Sequence, residues 1–200
     1  KYEEEHGIVY AQPNYFRIFD RKILKGDAEK GLDEPNEAIL SRNLALKYFG
    51  KEDAVGEVIA FDKRDYKITA VMEDLPANTD LPFDLMLSYA TVKKEKDENG
   101  WHSIWSDEHC YFLLKEGEPI TEVERRMPDF GKKYLGEDAR HEAFTIQPFT
   151  EIHFDDRYGN YSYNTVSRGM LSILMVIAIF LIVTACINFI NLSTAEAIKR

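Results

Sequence analysis

The sequence predicts an α+β fold, with helices packed on a mixed β-sheet in one or two lobes, followed by one transmembrane α-helix. Three observations carry this expectation. Short runs rich in β-branched and aromatic residues alternate with segments of helical spacing from Ile8 to Phe154. No residue from Gly169 to Ala195 is charged, although 30% of the 200 residues are Asp, Glu, Lys or Arg. The net charge is −10, and setting aside the +1 of Glu196, Lys199 and Arg200 leaves −11 on residues 1–168. A chain of this length can bury a real core.

The elements follow in order. "GIVY" gives a strand at Ile8–Ala11, and Pro13 suits the first turn of a helix carrying Tyr15, Phe16, Ile18 and Phe19. In "EAILSRNLALKYFG", Ala38–Leu40 is strand-like and Ser41 is placed to cap a helix. That helix aligns Leu44, Ala45, Tyr48 and Phe49 on one face and ends at Gly50. Val58–Phe61 and Tyr66–Val71 form a hairpin across the polar turn "DKRD". "DLPANTD" breaks the pattern, "LPFDLMLSY" is a further strand, and "KKEKDENG" is a solvated charged loop. "HCYFLLKEG" gives a strand ending at Gly117. "PITEVERRMPDFGKKYLG" gives a helix with Val123, Met127, Phe130 and Tyr134 on one face. Thr121 and Glu124 are spaced as a capping box, and Pro128 and Gly131 should kink the helix. "EAFTIQPFTEIHF" supplies a last strand.

The tail differs in kind. A bilayer core needs about 20 apolar residues in a helix, and Met170 to Leu192 supplies that length. Lys199 and Arg200 follow the span, which places its C-terminal end in the cytoplasm and residues 1–165 outside it. Arg168 is a single opposing charge. Tyr158, Tyr161 and Tyr163 stand where an interfacial aromatic belt would lie. Asn188 and Asn191 can bond to a neighbouring helix, and Ala178, Thr184, Ala185 and Cys186 permit close helix contact.

Chemistry is sparse. The acidic balance argues against a nucleic-acid partner, because phosphate backbones would be repelled. No phosphate-loop signature is present, and "GKEDAVGE" lacks the Lys-Ser/Thr that would hold a nucleotide. His102, Asp107, Glu108, His109 and Cys110 in "WHSIWSDEHC" come nearest to a metal cluster. On a strand, however, His109 and Cys110 would point to opposite faces. His153, Asp155 and Asp156 could pair as acid and base, yet carboxylates are abundant enough for chance adjacency. Trp101 and Trp105 suit a ligand or partner contact as well as a core contact. Cys110 and Cys186 lie in segments of opposite character, so they read as small covered apolar residues rather than a disulfide. No catalytic, cofactor-binding or metal-binding residue is assigned.

Several segments together resemble one family. "VYAQPNYFRIFDRKILKGD", "EAILSRNLALKYFG", "DLPANTDLPFDLML" and "IQPFTEIHF" are similar to the periplasmic core domain of MacB-like, FtsX-type ABC transporter permeases. The tail, with its core "CINFINLSTA", resembles the second transmembrane helix of the same proteins. The resemblance implies an extracytoplasmic domain over residues 1–165 and a transmembrane helix with the start of a cytoplasmic segment over 166–200. A first helix would precede Lys1. It further implies the bacterial cytoplasmic membrane, a permease dimer, lipid around Met170 to Leu192, and a cytoplasmic ABC ATPase that hydrolyses ATP on the permease's behalf. Family cargoes are peptides, lipoproteins and drugs, and an outer partner protein is a further option. No cofactor is implied. Two other readings of the residues stand beside this one: an extracytoplasmic sensor domain of a membrane signalling protein, and a membrane-anchored enzyme built around His153, Asp155 and Asp156.

Overall fold

The computed structural model describes residues 7–28, 30–99, 108–141, 143–155, 157–158 and 165–198. The chain divides into two compact units, Lys1–Ile146 and Gln147–Arg200.

A six-stranded sheet organises the first unit. Its strands are β1 (Ile8–Ala11), β2 (Ile23–Gly26), β3 (Glu37–Ser41), β4 (Val58–Phe61), β5 (Arg64–Met72) and β6 (Leu85–Ser88). They stand in the order β1-β6-β3-β5-β2, with β4 also paired to β5. The sheet is mixed, as the sequence predicts: β1–β6 and β3–β5 are parallel, and the other pairs are antiparallel. Lys67 pairs with Glu37 and with Val58, while Val71 pairs with Leu40 and with Lys25. A strand has two edges, so β4 and β2 lie end to end along one edge of β5 and β3 takes the other.

The strands follow from local chemistry except at β2. The β4–β5 turn is Asp62-Lys63, both left-handed with φ of 47° and 63°. That conformation gives a two-residue turn whose twist matches the strands. The turn is tighter than the sequence suggests, because Arg64 and Asp65 already pair with Phe61 and Ala60. β2 has the sequence ILKG, too short and too polar-flanked to announce itself; pairing with β5 creates it. Gly26 there adopts φ of 81°, and a Cβ would sit 2.1 Å from the Thr69 carbonyl oxygen. Thr69 is the extra residue of a bulge between Ile68 and Ala70. Its hydroxyl donates to the Gly31 carbonyl at 2.6 Å, with the Ala38 carbonyl at 3.0 Å.

Helix α1 (Tyr15–Ile18) is a single turn, and α2 (Arg42–Phe49) covers one face of the sheet. The Ser41 hydroxyl accepts the Leu44 N–H at 3.3 Å, and Gly50 closes α2 with φ of 69°. Both capping expectations hold. Leu44 and Ala45 pack with Ala38, Leu40, Tyr66, Ile68, Val71, Leu85 and Leu87. On the opposite face Ile39 and Met86 are also fully buried. Central strands covered on both sides explain why "AILS" and "LMLS" are continuous apolar runs rather than alternating ones.

Four expectations are corrected. "KKEKDEN" forms α3 (Lys93–Asn99) instead of a loop. Lys and Glu are good helix formers, and a 3-10 turn at Tyr89–Thr91, begun by the Ser88 hydroxyl, leads into it. Its side chains are largely exposed, so its solvated character stands. "HCYFLLKEG" forms no strand among the described residues, and Phe112 and Leu113 are exposed. "EAFTIQPFTEIHF" is not a strand either; a 3-10 turn at Phe149–Glu151 follows Pro148, which has no N–H for a ladder. The amphipathic segment splits into α4 (Ile120–Glu124) and α5 (Met127–Leu135), with Pro128 in the first turn of α5. That break bears out the expected kink. Pro119 precedes α4 without a side-chain cap, so Thr121 and Glu124 make no capping box.

The second unit carries α6 (Arg168–Ile198), a continuous helix of 31 residues.

Candidate functional site

Among the described residues, the polar clusters singled out in the sequence assemble no reaction centre. Glu108, His109 and Cys110 are exposed in the stretch without regular structure. Glu108 pairs with Lys96. His109 Nδ1 lies 3.3 Å from the Tyr111 hydroxyl. Among the described residues no three His, Cys, Asp or Glu side chains gather as metal ligands. His102, Asp107, Trp101, Trp105 and Asp156 lie outside the described residues, as do Tyr161 and Tyr163. Asp155 accepts from Arg157 Nε and Nη2, both at 2.8 Å, and from Gln147 at 3.2 Å. Those bonds, Arg157 first, pull its carboxyl down to about 2. A carboxylate held that firmly ionised is a structural acceptor and a poor base. Both cysteines are free and exposed, which corrects their reading as covered residues. Among the described residues no strand pairs with the stretch holding Cys110, and Cys186 lies on α6.

The segments that carry the family resemblance are tied to one another instead. Arg21 donates to the Tyr15 hydroxyl at 3.4 Å, the Thr79 hydroxyl at 3.3 Å and the Leu81 carbonyl at 3.1 Å. Tyr15 also meets the Phe83 ring edge-on at 6.4 Å. Burial raises the Tyr15 hydroxyl above the usual tyrosine range. Asp74 accepts from Arg42 Nε and Nη2 at 3.0 and 2.8 Å, and from the Asn43 N–H at 2.7 Å at the start of α2. "QPNYF", "SRNLAL" and "DLPANTDLPF" are thus fastenings between loops. Sequence inspection recognised the strings without showing that Arg21 and Asp74 join them.

The feature with functional shape is α6 and its root. Every described side chain of α6 is exposed, from Arg168 through Ile198. Among the described residues none buries its apolar surface. Its length and composition suffice to cross a membrane. Ser172, Thr184 and Thr194 donate their hydroxyls to carbonyls four residues earlier, at 2.8 to 2.9 Å, which satisfies them without water.

At the root, the chain folds back on itself. Arg168 Nη2 donates to both Glu151 oxygens at 2.9 and 2.8 Å. Its guanidinium lies 5.0 Å from the Phe154 ring centre. The Val166 N–H donates to the His153 carbonyl at 3.0 Å, and the Ser167 hydroxyl caps the Met170 N–H at 3.2 Å. These contacts clamp the first turn of α6 to the segment 149–155.

Comparison with known proteins agrees with this architecture. Residues 1–130 match the MacB-like periplasmic core domain family. A comparison with curated proteins finds no match. Among solved structures, a domain assigned to a permease protein of Porphyromonas gingivalis aligns with 23% identity and a TM-score of 0.54, over 66% of this chain and 61% of that one. The periplasmic region of MacB from Actinobacillus actinomycetemcomitans aligns with 15% identity and a TM-score of 0.47, over 67% and 59% of the two chains. The chain thus spans about three-fifths of the length of these structures. With the matched span covering most of the sheet unit, the chain belongs to the MacB-like periplasmic core domain family.

Proposed function

We propose that this chain is part of a permease subunit of a MacB/FtsX-type ABC transporter. In this reading residues 1–165 form the extracytoplasmic domain, and 166–200 form a transmembrane helix and the start of a cytoplasmic segment. The location is the bacterial cytoplasmic membrane, and two permease subunits pair. A separate cytoplasmic ATPase hydrolyses ATP, and its movement reaches the outer domain through the membrane helices. The outer domain then pushes, extracts or releases a peptide, lipoprotein or drug.

One observation carries the reading: a family domain that lies outside the cytoplasm is followed by a long apolar helix with no protein cover, clamped at its first turn by Glu151 and Arg168. A movement of α6 can be passed on only if its root is held, and Glu151 and Arg168 tie that root to the segment 149–155. The acidic first 168 residues are compatible with a cationic cargo, though acidity also serves solubility.

The test is to purify the full-length parent protein in detergent and assay ATP hydrolysis. Co-purification of an ATPase whose turnover falls when residues 1–165 are deleted supports the proposal. Isolation alone or with a signalling partner, without ATP hydrolysis, overturns it in favour of the sensor reading.

A further inference from the structure

We infer that the described turn carrying Phe149, Phe154 and Tyr158 is a collar seated in the lipid headgroup layer of the membrane that α6 crosses. The inference rests on α6 being a membrane span and on nothing else in the proposed function. Depth comes first. The apolar run of α6 starts at Met170, two residues after Arg168, or about 3 Å along the axis. The headgroup layer is about 5–7 Å thick on each side of the hydrocarbon core. Arg168 reaches Glu151 directly, stacks near Phe154, and sits two residues from the Val166–His153 hydrogen bond. Those contacts hold the turn beside the point where hydrocarbon begins.

The side chains suit that layer. Phe149 and Tyr158 are 48% and 44% exposed on a turn of a few residues. Half-exposed aromatic rings are stabilised between water and hydrocarbon. Two ion pairs form there: Asp155 with Arg157, and Glu151 with Arg168. Arg157 further lies 5.5 Å from the Tyr158 ring centre. Pairing lowers the desolvation cost of those four charges, and the half-exposed rings favour the headgroup layer. The turn also fixes how far the helix can slide along the membrane normal.

The full chain, with Cys110 and Cys186 replaced by Ser, is reconstituted in vesicles of phosphatidylethanolamine and phosphatidylglycerol. Nitroxide labels are placed at Phe149→Cys and Tyr158→Cys, with Leu113→Cys as the aqueous reference and Met170→Cys as the lipid reference. Collision with oxygen and with a water-soluble nickel complex is read at each site. The collar requires an oxygen-to-nickel ratio at 149 and 158 above that at Leu113 and below that at Met170. Values equal to Leu113 put the turn in water and overturn the inference. Protection from both reagents means a protein surface covers it, which overturns the inference equally. Magnetisation transfer from lipid headgroup protons to the native Phe149 and Tyr158 rings repeats the test without label or substitution. Loss of ATPase coupling in the purification assay, with these ratios intact, would remove the transporter reading and leave the collar.

Discussion

The clamp at the root of α6 can be dissected by a double-mutant cycle with Glu151→Gln, Arg168→Gln and both together. The two side chains are 42% and 66% exposed, so water screens their attraction. Unit charges about 4 Å apart attract by about 1 kcal/mol in water, and exposed pairs measured this way give about 0.2–1 kcal/mol. Arg168 Nη2 meets both carboxylate oxygens within 2.9 Å, which places the expected coupling toward the top of that range, about 0.5–1 kcal/mol. Arg168→Gln also removes the cation over Phe154, worth about 0.5–1 kcal/mol more. The reporter is the Val166 amide, which donates to His153 just before the helix begins. Its hydrogen exchange in nanodiscs should quicken about 2–5-fold for Glu151→Gln and about 5–30-fold for Arg168→Gln. The double variant should fall short of the product of the two. The charge swap Glu151→Arg with Arg168→Glu should restore part of the protection. Strict multiplication of the single effects, or unchanged exchange, refutes the claim that this pair holds the root.

Other perturbations follow from the sheet unit and the turn. Gly26→Ala combines a left-handed residue with a Cβ 2.1 Å from the Thr69 carbonyl, so the β2–β5 edge must shift; a loss of about 2–4 kcal/mol is expected, and an unchanged melting midpoint of the full chain contradicts it. Tyr10→Phe strips the hydroxyl 3.2 Å from that of fully buried Tyr66, and chemical denaturation should show a cost of about 1–3 kcal/mol. Ser41→Ala deletes the cap of α2 and should cost about 1 kcal/mol in the same assay. Asp155 is lowered from 3.8 to about 2, so its stabilising pair with Arg157 is complete above the ordinary value and is lost as pH falls through about 2. A carboxyl titration followed by NMR should place its midpoint there, and a midpoint near the ordinary value removes the argument that Asp155 is held ionised.

What could be read from the sequence divides along physical lines. β1, β3, α2 and the β4–β5 hairpin carry their signals locally, in Ser41, Gly50 and runs of β-branched residues, and each formed where expected. The helix α6 was legible for the same reason: an uncharged length of that kind has few alternatives. β2 was invisible because its four residues become a strand only by pairing with β5. The stretch around Cys110 to Leu114 has strand composition without a partner strand among the described residues, and composition alone cannot supply a ladder. The root of α6 was hidden differently. Arg168 and Glu151 are 17 residues apart, and no spacing rule joins an arginine to a carboxylate at that distance.

The length of α6 has a mechanical corollary. From Arg168 to Ile198 the helix measures about 45 Å, against about 30 Å of hydrocarbon. Met170 to Leu192 accounts for about 33 Å, and the helix runs on for about 9 Å past it to Ile198. No Gly or Pro interrupts it after Gly169, and it runs unbroken to Ile198. Such a helix turns and leans as one rod. A change in tilt of about 10° swings one end relative to the other by about 8 Å, well within the range that membrane helices adopt.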